Sequence, residues 1–168
     1  MVLPYCEGNN LLINKDLTVS KPLLNQQISQ INELIHLNPK GLHDPTPSGY
    51  THVVVAPLTG NTIYVSGQCS YHIGDGGVRD FTAQLDEALA NMVIALQAGG
   101  ANVHDVTRIN LLIVNYSEEL LPIWSTAARS IWGEGPYPAS TLIPVPRLAF
   151  NGLLVEIEAT AVVITEKI

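Results

Sequence analysis

Near the end of this chain two carboxylates, Glu156 and Glu158, alternate with Val155, Ile157 and Ala159. An extended strand places both glutamates on one face and the apolar residues on the other. A carboxylate in a partly apolar cleft can be raised towards the working pH, where it accepts a proton from water and returns one to a leaving group. The same alternation is ordinary on a half-exposed strand, so the pattern alone leaves both readings open. Upstream, Ser66 and Gly67 follow the strand-forming run Thr62-Ile63-Tyr64-Val65. A glycine there lets the backbone approach a ligand closely, and free N–H groups can hold an oxygen; a plain strand-ending turn is the alternative. Other chemistries find no support. His36, His43, His52, His72 and His104 show no metal-ligand spacing. Cys6 and Cys69 are too few for a disulfide framework and share no C-x-x-C spacing. There is no G-x-S-x-G elbow and no phosphate loop. Neither a metal nor a cofactor is expected.

The elements that must carry these residues are legible in the periodicity. Leu24, Ile28, Ile31 and Ile35 recur at helical spacing behind Ser20 and Pro22, predicting an amphipathic helix over 22–36. Residues 38–49 are turn chemistry, rich in proline and glycine. Tyr50 begins a strand through Val55, Leu58–Asn61 reads as a hairpin turn, and Thr62–Gly67 is the return strand. Asp80 caps a helix to about Gln97 with the stripe Phe81, Leu85, Ala88, Met92 and Leu96, stopped by Gly99-Gly100. A strand follows at about 105–114, and a second helix opens at Ser117 with the face Leu120, Ile123, Trp124, Ala127 and Ile131. Strands over about 141–146 and 153–163 complete the order β-β-α-β-α-β-β, an α+β architecture of one mixed sheet packed by two helices. Residues 1–37 read as an N-terminal extension and 38–168 as the single folded domain. Open sheet edges favour oligomerisation.

The 168 residues are 46% hydrophobic and only 14% charged, enough for one domain with a substantial core. The net charge of −7 and the scattered lysines and arginines argue against a nucleic-acid partner. No apolar run reaches the length of a membrane span. The first residues lack the basic and apolar regions of a signal peptide, so a cytoplasmic, reduced protein is expected.

Gly49-Tyr50, Ser66-Gly67-Gln68, Gly100-Ala101 with Asp105-Val106, Pro138-Ala139 and Val155-Glu156-Ile157-Glu158-Ala159 stand in a joint order. In that order the chain resembles the RidA/YjgF family of small trimeric imine and enamine deaminases, formerly described as endoribonucleases, over about residues 42–164. The resemblance implies a chorismate-mutase-like fold, a homotrimer built on a β-barrel, and small-molecule sites at the subunit interfaces. It implies that Glu156 orients water in the cleft and that Tyr50, Ser66 and Gly67 line it, with Ser125 where the family often has an asparagine. Ser140 and Thr141 fall in the segment that binds substrate. The family residue after Pro-Ala is usually an arginine that clamps a carboxylate bidentately; here it is Ser140. Arg147, seven positions on, would face the other way on a regular strand. The resemblance therefore implies an imine or enamine hydrolase whose best substrate is not a simple 2-iminoacid. A ligand-binding or regulatory trimer without catalysis, or an isomerase or tautomerase using the same cleft, are the alternatives.

Overall fold

The Asp80 carboxylate accepts a hydrogen bond from the Ala83 amide at 2.8 Å and caps the helix that follows. This helix, α1 (Phe81–Ala98), buries Phe81, Leu85, Ala88, Leu89, Met92 and Leu96 along one face. Gly100 turns the chain away with a φ of +80°, a conformation that carries no Cβ penalty for glycine. The second helix, α2 (Leu120–Trp132), buries Trp124, Ser125, Ala127, Ala128 and Trp132. The structure, a computed structural model, describes residues 33–57, 59–70 and 80–164.

Among the described residues six strands accompany these helices: β1 (Ile35–Leu37), β2 (Val53–Val55), β3 (Asn61–Gln68), β4 (Val106–Val114), β5 (Ala139–Val145) and β6 (Val155–Val163). Four of them form a mixed sheet in the order β3-β6-β4-β5. β6 runs antiparallel to β3 and β4, while β4 and β5 are parallel, a pairing that needs the crossover which α2 supplies. Val106, Ile109, Leu111 and Ile113 of β4 and Val155, Ile157, Ala159 and Ala161 of β6 join both helices in one core. The residues between them turn to the opposite, open face: Arg108, Asn110 and Leu112 on β4, and Glu156, Glu158 and Thr160 on β6. The expected α+β architecture, one mixed sheet under two helices, is the one the chain adopts. No helix among the described residues is long and apolar enough to cross a membrane.

Two elements differ from the expectation. The strand expected from Tyr50 starts at Val53 and pairs with β1 in a separate two-stranded sheet, Ile35 opposite Val55 and Leu37 opposite Val53. The helix expected over 22–36 falls largely outside the described residues, and its last two positions, Ile35 and His36, lie in β1. β-Branched Ile35 gains a partner strand there, and Asn38, ahead of Pro39, is held extended.

One buried polar side chain ties the helix layer to the start of β6. Gln84, 2% exposed, donates through Nε2 to the Gly152 carbonyl at 2.9 Å and accepts at Oε1 from the Leu154 amide at 2.9 Å. This clamp fixes the chain two residues before Glu156. Truncation would leave two backbone groups without partners, each costing about 1–3 kcal/mol where buried. We expect Gln84→Ala to lower the unfolding free energy by about 2–4 kcal/mol in urea denaturation.

Candidate functional site

β6 pairs with β3 in register from Asn61 to Val65, and the register then shifts before Gln68 meets Ile157. The irregularity leaves Ser66 and Gly67 opposite the single residue Glu158 and brings Gly67 under the Glu156 side chain. A Cβ built on Gly67 would overlap the Glu156 carboxylate, 2.5 Å from Cδ and 2.8 Å from Cγ. Space, rather than backbone conformation, is what requires glycine at this position: Gly67 does not have a positive φ. The Glu156 carboxylate is half-buried and has no hydrogen-bond or ionic partner among the described residues. Glu158, by contrast, accepts a hydrogen bond from Asn110 Nδ2 at 3.1 Å. The two glutamates share a face but not a condition, since one is engaged and the other is available.

The remaining candidates gather elsewhere. Gly49 closes a 3₁₀ turn (Thr46–Ser48) with a φ of +70° and packs on α2, where an added Cβ would meet Ala128 Cβ at 2.7 Å. That close approach seats the following residues against the edge of the main sheet. Thr51, 4% exposed, donates its amide to the Pro138 carbonyl at 3.0 Å and bridges to Ala139. Tyr50 and His52 turn away from Thr51, as Ser140 turns away from Ala139, so these three residues share a side of that edge. Ser140 stands in register with Ile109, a core residue under the helices. Thr141 faces the open side, beside the Arg108 guanidinium at 3.4 Å. Ser125 is 6% exposed beneath the turn, and its hydroxyl donates back to the Leu121 carbonyl at 2.9 Å.

Within one chain, then, the candidates form two groups. Ser66, Gly67 and Glu156 lie on the open face at β3 and β6. Tyr50, Ser125 and Ser140 lie on the helix side of the β5 edge. β5 and β6 are separated by β4, so the groups stand two strand spacings apart, roughly 10 Å, and on opposite faces. Arg147 lies past the far end of β5, where its Nε donates to the Leu148 carbonyl at 3.3 Å.

Sequence reasoning missed three participants. Arg108 and Asn110 line an open cavity of about 240 Å³ on the open face with Tyr64, Ser66, Glu158 and Thr160. Their spacing of two on β4 placed them there, but an isolated Arg-x-Asn carries no motif. His43 lies in the proline-rich turn, and its Nε2 is hydrogen-bonded to the Tyr50 hydroxyl. Only the fold of that turn brings the two side chains together. Next to it, hydrogen bonds from the Thr46 side chain and amide hold the Asp44 carboxyl below its ordinary value, and the charge of His43 acts in the same direction. Among the described residues no cluster of three or more His, Cys, Asp or Glu side chains could hold a metal ion.

A two-helix mixed sheet with an available glutamate against a glycine on its open face defines a class of small α+β protein, and comparison with known proteins places the chain within it. The family described as endoribonuclease L-PSP matches residues 42–163. A relative from Dermatophagoides farinae, named 2-iminobutanoate/2-iminopropanoate deaminase, is 30% identical over 125 residues, 71% of this chain and 90% of the relative. The crystal structure of YyfB from Yersinia pestis, of the conserved Rid protein family, superposes with a TM-score of 0.71 at 31% identity, covering 79% of this chain and all of that one. Rv2704 of Mycobacterium tuberculosis, from the YjgF/YER057c/UK114 family, superposes with a TM-score of 0.52 at 27% identity, covering 77% of this chain and 99% of that one. The chain belongs to the RidA/YjgF family.

The Gly67 contact makes a specific prediction. The atoms in its way are the far end of a flexible side chain, so Gly67→Ala should displace the Glu156 carboxylate rather than unfold the sheet. The expected result is an unfolding free energy within about 1 kcal/mol of the wild type. Ligand binding or turnover at this site should fall at least as far as in Glu156→Gln.

Proposed function

We propose that this protein is a deaminase of small imines or enamines that needs neither metal nor cofactor. Its cleft is formed between neighbouring copies of a trimer. The observation that carries the proposal is the Glu156 carboxylate, held against Gly67 and without a protein partner among the described residues. A carboxylate so placed accepts hydrogen bonds from a water molecule and orients it for attack. Water adds to the imine carbon: the new C–O bond forms, the C=N π pair moves to nitrogen, and Glu156 takes the proton that water loses. Glu156 then returns that proton to nitrogen. The C–N bond breaks as the carbinolamine hydroxyl passes its proton through Glu156 to the departing nitrogen, and ammonia and a carbonyl compound leave. The sum is R₂C=NH plus H₂O giving R₂C=O plus NH₃.

Where the residues stand supports the assembly. Glu156 and Gly67 lie on the open face and Tyr50 and Ser140 at the opposite edge, so one chain does not bring them to one substrate. A cyclic arrangement that sets the β5 edge of one copy against the open face of the next joins both groups in each cleft. The name of the Dermatophagoides farinae relative supports imine deamination as the reaction. The β5 edge, paired among the described residues only at the Thr51–Ala139 bridge, supports the association.

Ammonia and carbonyl product, measured from freshly generated imines with and without a carboxylate, test this reading. Wild type should accelerate the hydrolysis, and Glu156→Gln should reduce kcat by about 10²–10⁴-fold, the usual worth of a positioned acid–base group. Ser140→Arg should shift preference towards 2-iminoacids. Saturable binding with no turnover of any imine would contradict the catalytic reading, and a monomer in sedimentation would contradict the shared cleft.

A further inference from the structure

Strand pairing holds the contact between Glu156 and Gly67 unevenly. Before the register shift, the residues of β3 from Asn61 to Val65 are all paired with β6. After it a single register pair, Gln68 with Ile157, remains before β3 ends. Gln68 Nε2 turns back to donate to the Ser66 carbonyl at 3.0 Å, a side-chain bond where the ladder is interrupted. The short limb beyond Gly67 therefore draws its fixation from outside the sheet.

α1 provides it. Gln84, Glu87 and Asn91 share one row of the helix, at i, i+3 and i+7, beside the apolar stripe. Thr82, Asp86 and Ala90 of the same helix are exposed, whereas Gln84 is buried and Glu87 and Asn91 are half-buried. Asn91 Nδ2 donates to the Cys69 carbonyl at 2.9 Å. The Ser70 hydroxyl, 1% exposed, donates to Glu87 Oε2 at 2.8 Å. Gln84 holds Gly152 and Leu154 on the other chain segment. Cys69 stands two residues after Gly67, and Leu154 two residues before Glu156. One helix row thus grips both backbones that meet at the carboxylate, at equal remove from the contact.

We infer that Asn91 and the Glu87–Ser70 pair are positioning residues for Glu156, acting through the Cys69–Ser70 backbone to set where Gly67 lies under the carboxylate. Gln84 is the matching tie on the β6 side. The kinetic consequence rests on the proposed deaminase reading; the geometric one does not. Loss of a tie lets the Gly67 backbone drift, and the Glu156 carboxylate loses the wall that aims it. A misplacement of about 1 Å costs catalysis about a hundredfold while leaving the binding groups in place.

Two readouts test this, imine hydrolysis and the resonances of the Gly67 amide and the Glu156 side-chain carboxyl carbon in labelled protein. Asn91→Ala should lower kcat by about 10–100-fold with KM little changed, and should move both resonances. Ser70→Ala breaks the other tie and should act in the same direction; it carries the test if Asn91→Ala does not fold. Glu87→Gln, whose amide oxygen still accepts from Ser70, should keep most of the activity. Leu96→Val, a core truncation on the same helix away from the row, should lower stability and leave kcat and both resonances as in the wild type. In the Glu156→Gln background Asn91→Ala should cost little more, since both changes act through one carboxylate. Wild-type kcat in Asn91→Ala and Ser70→Ala, an equal loss in Leu96→Val, or losses that multiply fully with Glu156→Gln would each overturn the inference. If wild type hydrolyses no imine, the deaminase reading fails, and shifted resonances in Asn91→Ala but not in Leu96→Val still uphold the positioning. Active wild type with both resonances unmoved in Asn91→Ala and Ser70→Ala would sink the positioning alone.

Discussion

The contact between the Glu156 side chain and the bare Cα of Gly67 is the constraint around which the rest is arranged. It exists because β3 and β6 pair in one register as far as Val65 and in another at Gln68, which turns the Ser66-Gly67 backbone towards the β6 face. A bulge of this kind re-aims residues at the cost of part of the ladder. β6 bears that cost as one of the two central strands, paired on both sides by β3 and β4 and buried along Val155, Ile157, Ala159 and Ala161. The Gln84 clamp fixes the approach of the chain to β6 from the helix layer. The carboxylate is thus placed by rigid elements and left without a partner among the described residues, while its neighbour Glu158 is occupied by Asn110.

The second constraint is the absence of a guanidinium at Ser140. Arginine binds a carboxylate with a fixed charge and a planar fork. A serine hydroxyl offers one neutral bond. Among the described residues, Arg108 lies on the open face against Asn110 and Thr141, and Arg147 lies past the end of β5. Among the described residues, Tyr50 and His52 share the Ser140 side.

Much of the fold was legible before the structure. The stripe Phe81, Leu85, Ala88, Met92 and Leu96 and the cap Asp80 marked α1 to within a residue or two, because apolar periodicity and capping are local signals. β6 followed from its alternation, and strands were expected close to where β4 and β5 lie. The pairing of β1 with β2 was not legible, since Ile35 fits a helical stripe and a strand equally well and only a partner strand decides. Within the site, Glu156 and Gly67 could be named separately, but their contact depends on a register shift that no spacing encodes. Gln84 lies outside the apolar stripe of α1, and its burial is a tertiary fact. His43 was one of five scattered histidines until the turn at Pro45–Gly49 folded it onto Tyr50.

The account stands on a cleft that draws Glu156 from one copy and Tyr50 from its neighbour, and subunit mixing tests this most directly. Glu156→Gln and Tyr50→Ala chains, each inactive alone, would be unfolded together, refolded as a mixture and assayed for ammonia release. Random trimers should regain about a quarter of the wild-type rate, because each mixed trimer then contains one cleft with both residues intact. A mixture that assembles yet remains as inactive as its parents would mean that both residues must come from the same chain, and the shared cleft would have to be abandoned.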